Sequence, residues 1–352
     1  MKISKLQSIL KDGEAFFVSG EVSRKYLTNY SSSDGYLLIK MDSSCFFVDA
    51  RYFEDAQKKI TNCNVELFEG FECIKHHMYG VKNIIVESDC VTLRQFEKYK
   101  EIFSPVSVSF GNKLDGELEK MRAIKSKDEI ASLKTAQRIA EIAFDETLHF
   151  IKAGVSENAV AAFIEYSMRK NGSEKQSFDT IVLSGKGGSV PHGVPSEKKI
   201  ETGDFVTMDF GAVFNGYHSD MTRTVVVGKA SQKQKNAYNA VLEAQTEAIK
   251  TIKAGIICSD VDKAARDLLE KKGFGKYFCH STGHGVGLEI HETPPVSQKS
   301  GYILKSGNVI TVEPGVYIPG EFGVRIEDFG LVSESGFDNF TKADKNLIEI
   351  LS

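Results

Sequence analysis

The chain has 352 residues, 41% hydrophobic and 26% charged, with 44 Lys plus Arg against 48 Asp plus Glu and a formal net charge of −4. This is the composition of a globular protein with a sizeable core; it excludes disordered and collagen-like chains and gives no electrostatic reason to seek nucleic acid or an anionic membrane. At roughly 100 to 200 residues per domain, the length predicts two or three domains, and two are expected.

No apolar run approaches the roughly 18 residues of a membrane span, and Met1-Lys2-Ile3-Ser4-Lys5 leads to Lys11-Asp12-Gly13-Glu14 instead of an apolar export segment. Cys45, Cys63, Cys73, Cys90, Cys258 and Cys279 are scattered and form no CxxC pair, so reduced thiols in a cytoplasmic protein are expected.

Up to about residue 110, short β-rich runs at 15–18, 36–39 and 83–86 alternate with polar or helical stretches such as 93–103, predicting a small α/β domain. His76, His77 and Cys73 lie there with no further His or Cys at ligand spacing, and no chemistry is assigned to them. A polar stretch with Gly111 and Gly116 follows. Then Ser126-Lys127-Asp128-Glu129 offers a capping box before Ile130, Leu133, Ala140, Phe144 and Leu148 at helical spacing, and a second helical stretch runs from Ser156 to Gly172.

This second region repeats itself. Ile151-Lys152-Ala153-Gly154 recurs as Ile252-Lys253-Ala254-Gly255, 101 positions on, and Gly273 follows Gly172 by the same 101. Ser231-Gln232-Lys233-Gln234 is again a capping box, and Ala237, Val241 and Glu247 fall in register with Ala136, Ala140 and Glu146. A phrase, a capping signal and a helix-ending glycine in one register mark an internal duplication. After each helix pair comes a β-rich run with an acid six residues past a glycine, Asp209 after Gly203 and Glu313 after Gly307. A turn-like segment and a second acid follow each, Asp220 and Glu327. Two related hairpins are therefore expected to bring four carboxylates together.

Such a cluster suffers like-charge repulsion unless it is dispersed, protonated or occupied by cations, and two divalent ions would balance a charge of −4. The apolar residues Val206, Met208, Val225, Ile310, Val312 and Ile326 around these acids argue for buried strands. Five of the eight histidines lie between 192 and 291, one of them in Gly283-His284-Gly285-Val286-Gly287, where glycines let backbone approach a ligand closely. HExxH, GxSxG, Walker A and strand-GxGxxG-helix patterns are absent, and Ser184-Gly185-Lys186-Gly187-Gly188 reads as a flexible loop.

Asp209, Asp220, His284, Glu313 and Glu327, in that order on a duplicated region, resemble the five-ligand pattern of the pita-bread metallopeptidases, the family of methionine aminopeptidase, aminopeptidase P and prolidase. The first 110 or so residues resemble the creatinase-type N-terminal domain of its Xaa-Pro branch. The resemblance implies an α/β (α+β) protein: a creatinase-like domain over 1–118 and a pita-bread catalytic domain over 119–352 with a curved antiparallel sheet and flanking helices. It implies that Asp209 chelates one ion, that Asp220 and Glu327 bridge two, and that His284 and Glu313 complete the other site. Oxygen-dominated ligation favours Mn²⁺, with Co²⁺ or Zn²⁺ able to substitute. Two ions about 3.5–4 Å apart activate a shared water for attack on a peptide carbonyl.

The same resemblance makes Glu313 the proton shuttle, matches His192 and His291 to substrate-binding and intermediate-stabilising histidines, matches His280 to a further active-site histidine, and matches Arg325 to an arginine that holds a ligand carboxylate. His149 and His218 are given structural roles. The implied substrate is a peptide with proline at its second position. In many prolidases an arginine for the dipeptide carboxylate lies four residues after the equivalent of His291; here that residue is Pro295, which favours an aminopeptidase P over the alternative, a prolidase. A metal-free binding module and a creatine amidinohydrolase are disfavoured by the intact ligand set. The family's N-terminal domain further implies a homodimer.

Overall fold

The structure is a computed structural model and describes residues 2–351. The chain divides into two compact units between Arg122 and Ala123. Among the described residues, no helix is long and apolar enough to cross a membrane.

The N-terminal unit is built on six strands, β1 (Glu14–Val18), β2 (Tyr36–Ile39), β3 (Ser44–Val48), β4 (Asn64–Leu67), β5 (Asn83–Val86) and β6 (Ser107–Phe110), in the order β4-β3-β2-β1-β5-β6. The pairings are mixed: β1–β2 and β2–β3 are antiparallel, whereas β3–β4, β1–β5 and β5–β6 are parallel. The central strands are buried on both faces, as their unbroken apolar runs require. Helices α1 (Lys2–Gln7), α2 (Glu21–Thr28), α3 (Phe53–Lys59), α4 (Phe71–Lys75) and α5 (Leu93–Phe103) accompany the sheet, and Tyr99 and Phe103 of α5 meet Phe17 edge-on.

The polar stretch expected around Gly111 and Gly116 is instead the helix α6 (Asn112–Ala123). Leu114, Leu118 and Met121 are buried at helical spacing, and that apolar stripe outweighs the cost of about 1 kcal/mol of a glycine inside a helix. The boundary expected after residue 118 falls inside this helix.

In the second unit, α7 (Lys127–Phe150) starts at a formed capping box between Ser126 and Glu129, and α8 (Glu157–Lys170) follows. Next come β7 (Ile181–Ser184), β8 (Phe205–Phe210), β9 (Val213–Phe214), β10 (Tyr217–His218) and β11 (Met221–Val227). The second half repeats the plan with α9 (Gln232–Thr251), capped by Ser231 and Gln234, and α10 (Cys258–Lys271). Its strands are β12 (Gly283–Gly285), β13 (Glu292–Val296), β14 (Val309–Val312), β15 (Gly315–Ile318), β16 (Phe322–Arg325), β17 (Asp328–Val332), β18 (Phe337–Asn339) and β19 (Glu349–Ile350).

The duplication is visible atom for atom. Gly154 and Gly255 have φ of +89° and +90°, and each donates its N–H to the strand-side carbonyl of its own half, Ile200 at 2.9 Å and Leu304 at 2.8 Å. A side chain in that left-handed conformation would be strained, which is why glycine ends both phrases. Each helix pair covers its own sheet: Ile139, Phe144, Val160 and Ile164 pack with Val182, Val206 and Met208, whereas Val241, Ala244, Val261 and Leu269 pack with Ile310, Val312, Val324 and Ile326. At about 1.5–3 kcal/mol per fully buried large apolar side chain, these contacts hold both sheets in place under the site. The sheets run β19-β11-β8-β7 and β13-β12-β14-β17-β18, antiparallel except where β19 joins β11.

Candidate active site

The two acid-bearing hairpins form, with a register that differs in detail from a direct pairing of acids. Asp209 on β8 faces Thr222 on β11, so Asp220, two residues before Thr222, points to the same side as Asp209. In the second half Val312 faces Asp328, so Glu313 and Glu327 stand one step past the ladder, and both line the same cavity. Between the acids, each half inserts a small hairpin: Asn215-Gly216, both with positive φ, turn β9 into β10, and Pro319-Gly320-Glu321 turns β15 into β16.

His284 enters from β12. Gly283 and Gly285 flank it because a Cβ at either would lie 2.1 Å from the Thr311 carbonyl oxygen or 2.4 Å from that of Thr293. His284 Nδ1 lies 3.0 Å from the Gly285 carbonyl oxygen, which can only accept, so Nδ1 carries the hydrogen and Nε2 presents its lone pair. That Nε2 is 3.5 Å from Asp220 Oδ2 and 3.4 Å from Glu313 Oε1, and ligand atoms of Asp220, His284 and Glu327 all lie within 4.8 Å of one another. Asp209 accepts a hydrogen bond from Arg325 Nη2 through Oδ2.

The electrostatics leave the cluster to be neutralised by protons or by a cation. Burial, reinforced by the charges of Asp209 and Glu313, drives Asp220 well above the ordinary carboxylate range, and burial with Asp220, Glu313 and Asp209 does the same to Glu327. Burial, with the charge of Asp209 and against the counter-pull of Arg325, raises Glu313 to about 8. His284 is lowered to about 4, chiefly by burial, so it stands neutral and able to ligate. Among the described residues, Arg325 is the one cation that acts on Asp220, Glu313 and Glu327, and it also bonds Asp209. Asp209 Oδ1 and Glu327 Oε1 are buried with no hydrogen-bond partner among the described residues. Oxygen donors left open in this way, beside one neutral imidazole, fit a divalent metal, which would satisfy both orphaned atoms and relieve the repulsion.

All nine residues named from the sequence line one cavity of about 390 Å³: Asp209, Asp220, His284, Glu313, Glu327, His192, His280, His291 and Arg325. The His291 ring lies edge-on to His284, with centroids 4.4 Å apart, and His192 stands on the rim. His280, kept neutral at about 4 by burial and the nearby Arg325 charge, has Nε2 3.0 Å from the Tyr317 hydroxyl. That hydroxyl accepts from Arg325 Nη1 at 2.6 Å. His218 lies apart from this group, its Nδ1 2.9 Å from the Ser177 hydroxyl.

Tyr317, Thr222 and Thr311 were missed in the sequence. The Thr222 hydroxyl donates to Glu327 Oε2 at 2.7 Å and accepts from Arg325 Nε at 3.0 Å, and the Thr311 hydroxyl lies 3.3 Å from Glu313 Oε1. Both threonines sit two positions from an acid, hence on its strand face, and that period could have found them. Tyr317 carries no comparable signal. Phe178, Ile181, Ile290 and Pro295 provide apolar wall.

A neutral imidazole and four converging carboxylates, Asp220 and Glu327 buried and Asp209 and Glu313 partly so, with open oxygens on Asp209 and Glu327, fit a metal-dependent hydrolase. Residues 131–334 match metallopeptidase family M24, and residues 2–124 match the creatinase/prolidase N-terminal domain. The chain is 39% identical to an Xaa-Pro dipeptidase of Pyrococcus horikoshii over 97% of this chain and 93% of that one. Among solved structures it resembles an Xaa-Pro dipeptidase from Bacillus anthracis (TM-score 0.95, 42% identity, covering 100% and 99% of the two chains) and an X-Pro aminopeptidase from Thermotoga maritima (TM-score 0.93, 34% identity, 99% and 100%). The chain belongs to metallopeptidase family M24, with the pita-bread catalytic fold behind a creatinase-type domain, and a metallopeptidase of this family works with divalent metal ions.

Proposed function

We propose that the chain is an Xaa-Pro aminopeptidase that releases the first residue from peptides with proline at the second position, using two Mn²⁺ ions held by Asp209, Asp220, His284, Glu313 and Glu327. The observation that carries this reading is the cavity itself, where these five side chains face an apolar wall of Phe178, Ile181 and Ile290 able to receive a pyrrolidine ring. Bound there, the ions supply Lewis acidity, acidifying a water and polarising the scissile carbonyl.

The protein's own groups do the rest. Glu313 takes a proton from the attacking water and returns it to the proline nitrogen, which lacks an N–H and departs as an amine only once protonated. His291 and His192 orient the peptide carbonyl and stabilise the charge that develops on its oxygen. Arg325 fixes Asp209, and through Tyr317 it holds the neutral His280 at the cavity wall. Free cysteines throughout agree with a reducing, cytoplasmic setting, and a homodimer is the expected assembly.

The alternative is an Xaa-Pro dipeptidase (prolidase), as the similar Bacillus anthracis protein is named. Against it, Pro295 lines the cavity at the position where many prolidases carry a carboxylate-binding arginine, and proline offers no charge. Rates on an Xaa-Pro-Xaa tripeptide and an Xaa-Pro dipeptide, with and without Mn²⁺, separate the two. Tripeptide cleavage is expected; cleavage of the dipeptide alone would reverse the assignment, and no cleavage of either would favour a binding role.

A further inference from the structure

The N-terminal unit brings together three donors that are far apart in the chain. Cys45 lies on β3 and Glu66 on the parallel neighbour β4; the register Cys45↔Asn64 and Phe47↔Glu66 places Cys45, Phe47 and Glu66 on one face of the sheet. His77 follows the short helix α4, whose Ile74 is fully buried, and its ring meets Phe47 edge-on with centroids 5.3 Å apart. One ligand atom from each of Cys45, Glu66 and His77 lies within 4.8 Å of the other two, and His77 Nε2 is 2.9 Å from Glu66 Oε2.

We propose that Cys45, Glu66 and His77 form a zinc site that ties β3, β4 and the segment after α4 together. The donor chemistry decides the metal. A thiolate, an imidazole and one carboxylate form a borderline-soft set suited to Zn²⁺, whereas Mn²⁺ prefers oxygen alone. Geometry is close to what is needed: tetrahedral ligands at about 2.0–2.3 Å stand about 3.3–3.7 Å apart, so the His77–Glu66 hydrogen bond opens slightly and Cys45 moves inward. The side chains of His77 and Glu66 are 31% and 42% exposed, which leaves a fourth position open to water. Without metal, the buried Cys45 thiol bonds the Glu66 carboxylate, and burial with that charge holds the thiol above its usual range, so a bound cation has to displace its proton. On loading, the Cys45 S–H bond breaks, its proton passes to solvent, and an S–Zn bond forms; His77 Nε2 exchanges its hydrogen bond to Glu66 for the metal, with the hydrogen on Nδ1.

Co²⁺ serves as the probe because thiolate ligation gives it a strong near-ultraviolet charge-transfer band. The catalytic cluster contains no sulfur, so the band reports a thiolate site independently of peptide hydrolysis. Reduced, chelator-stripped full-length protein is titrated with Co²⁺ and then with Zn²⁺. The wild type should develop the band and lose it to one equivalent of Zn²⁺; Cys45→Ser should not develop it, and His77→Gln, a change at a partly exposed position that leaves the core intact, should weaken it. Mn²⁺-dependent hydrolysis should be unchanged in His77→Gln. Absence of the band in the folded wild type, or full intensity in both variants, would overturn the site, while loss of hydrolysis with the band intact would count against the catalytic reading alone.

Discussion

Thr222 and Glu327 are bonded twice across the two halves of the duplicated unit: the Glu327 N–H donates to the Thr222 carbonyl at 3.1 Å, and the Thr222 hydroxyl donates to Glu327 Oε2 at 2.7 Å. This contact fixes one oxygen of the more deeply buried of the cluster's two buried acids and leaves the other, Oε1, with no hydrogen-bond partner among the described residues. Thr222→Val keeps the shape and removes the hydroxyl. It should weaken Mn²⁺ binding by about 10- to 100-fold, as loss of a bond to a ligand carboxylate typically does. Metal titration followed by activity measures this, and unchanged affinity would remove Thr222 from the site.

Asp220 is 4% exposed and has no positive neighbour except Arg325 among the charges that shift it. Asp220→Ala should abolish turnover and reduce bound metal to at most one ion per chain. Elemental analysis of the purified variant provides the test; a full metal complement would contradict its bridging role.

His291 touches the ring of His284 yet lies outside the carboxylate cluster. His291→Ala should therefore leave metal content intact and lower kcat/KM by about 10²- to 10³-fold, the usual cost of one stabilising donor. Near wild-type rates would take it out of the mechanism.

The metal-free protein should become less stable as pH rises from 6.5 to 8. Burial raises Glu313 to about 8 from an ordinary value of 4.5, and raises Asp220 and Glu327 in the same direction, so in this window the folded state binds more protons than the unfolded one. The stabilisation from holding those protons is complete below about 4.5 and is lost as pH passes through 8. His218, His280 and His284, all lowered to about 4, act in the opposite sense but only between about 4 and 6.5. Thermal unfolding of chelator-treated protein should give a lower Tm at pH 8 than at 6.5, and Mn²⁺ should remove the difference. Equal Tm values without metal would show that the acids are not held in a strained, protonated cluster.

Much of the fold was legible because its signals are local. Ser126 with Glu129 and Ser231 with Gln234 cap helices where their spacing said they would, and Gly154 and Gly255 end matching phrases because both need a positive φ. The helix α6 was concealed by Gly116, whose local cost was outweighed by the burial of Leu114, Leu118 and Met121, and the expected flexible loop at 184–188 is instead largely a short 3-10 helix, Gly185–Ser189, with Gly185 and Gly188 buried. The four acids were legible because a repeated strand pattern puts Asp209 and Glu313, then Asp220 and Glu327, at matching places; His192, His280, His291 and Arg325 rested on the family resemblance, and the fold brings all of them with His284 around one cavity.

Residue order therefore carried the duplication, the caps, the turns and the choice of acids, since each depends on neighbours within a few positions and on a periodicity of two or 3.6. Tertiary packing decided which oxygens meet: Asp209 opposite Thr222 instead of Asp220, Tyr317 between Arg325 and His280, and Cys45 beside Glu66 and His77. These contacts join residues on different strands and loops, and only the register of the sheets and the volume of the cores beneath them set which of the many possible pairs are made.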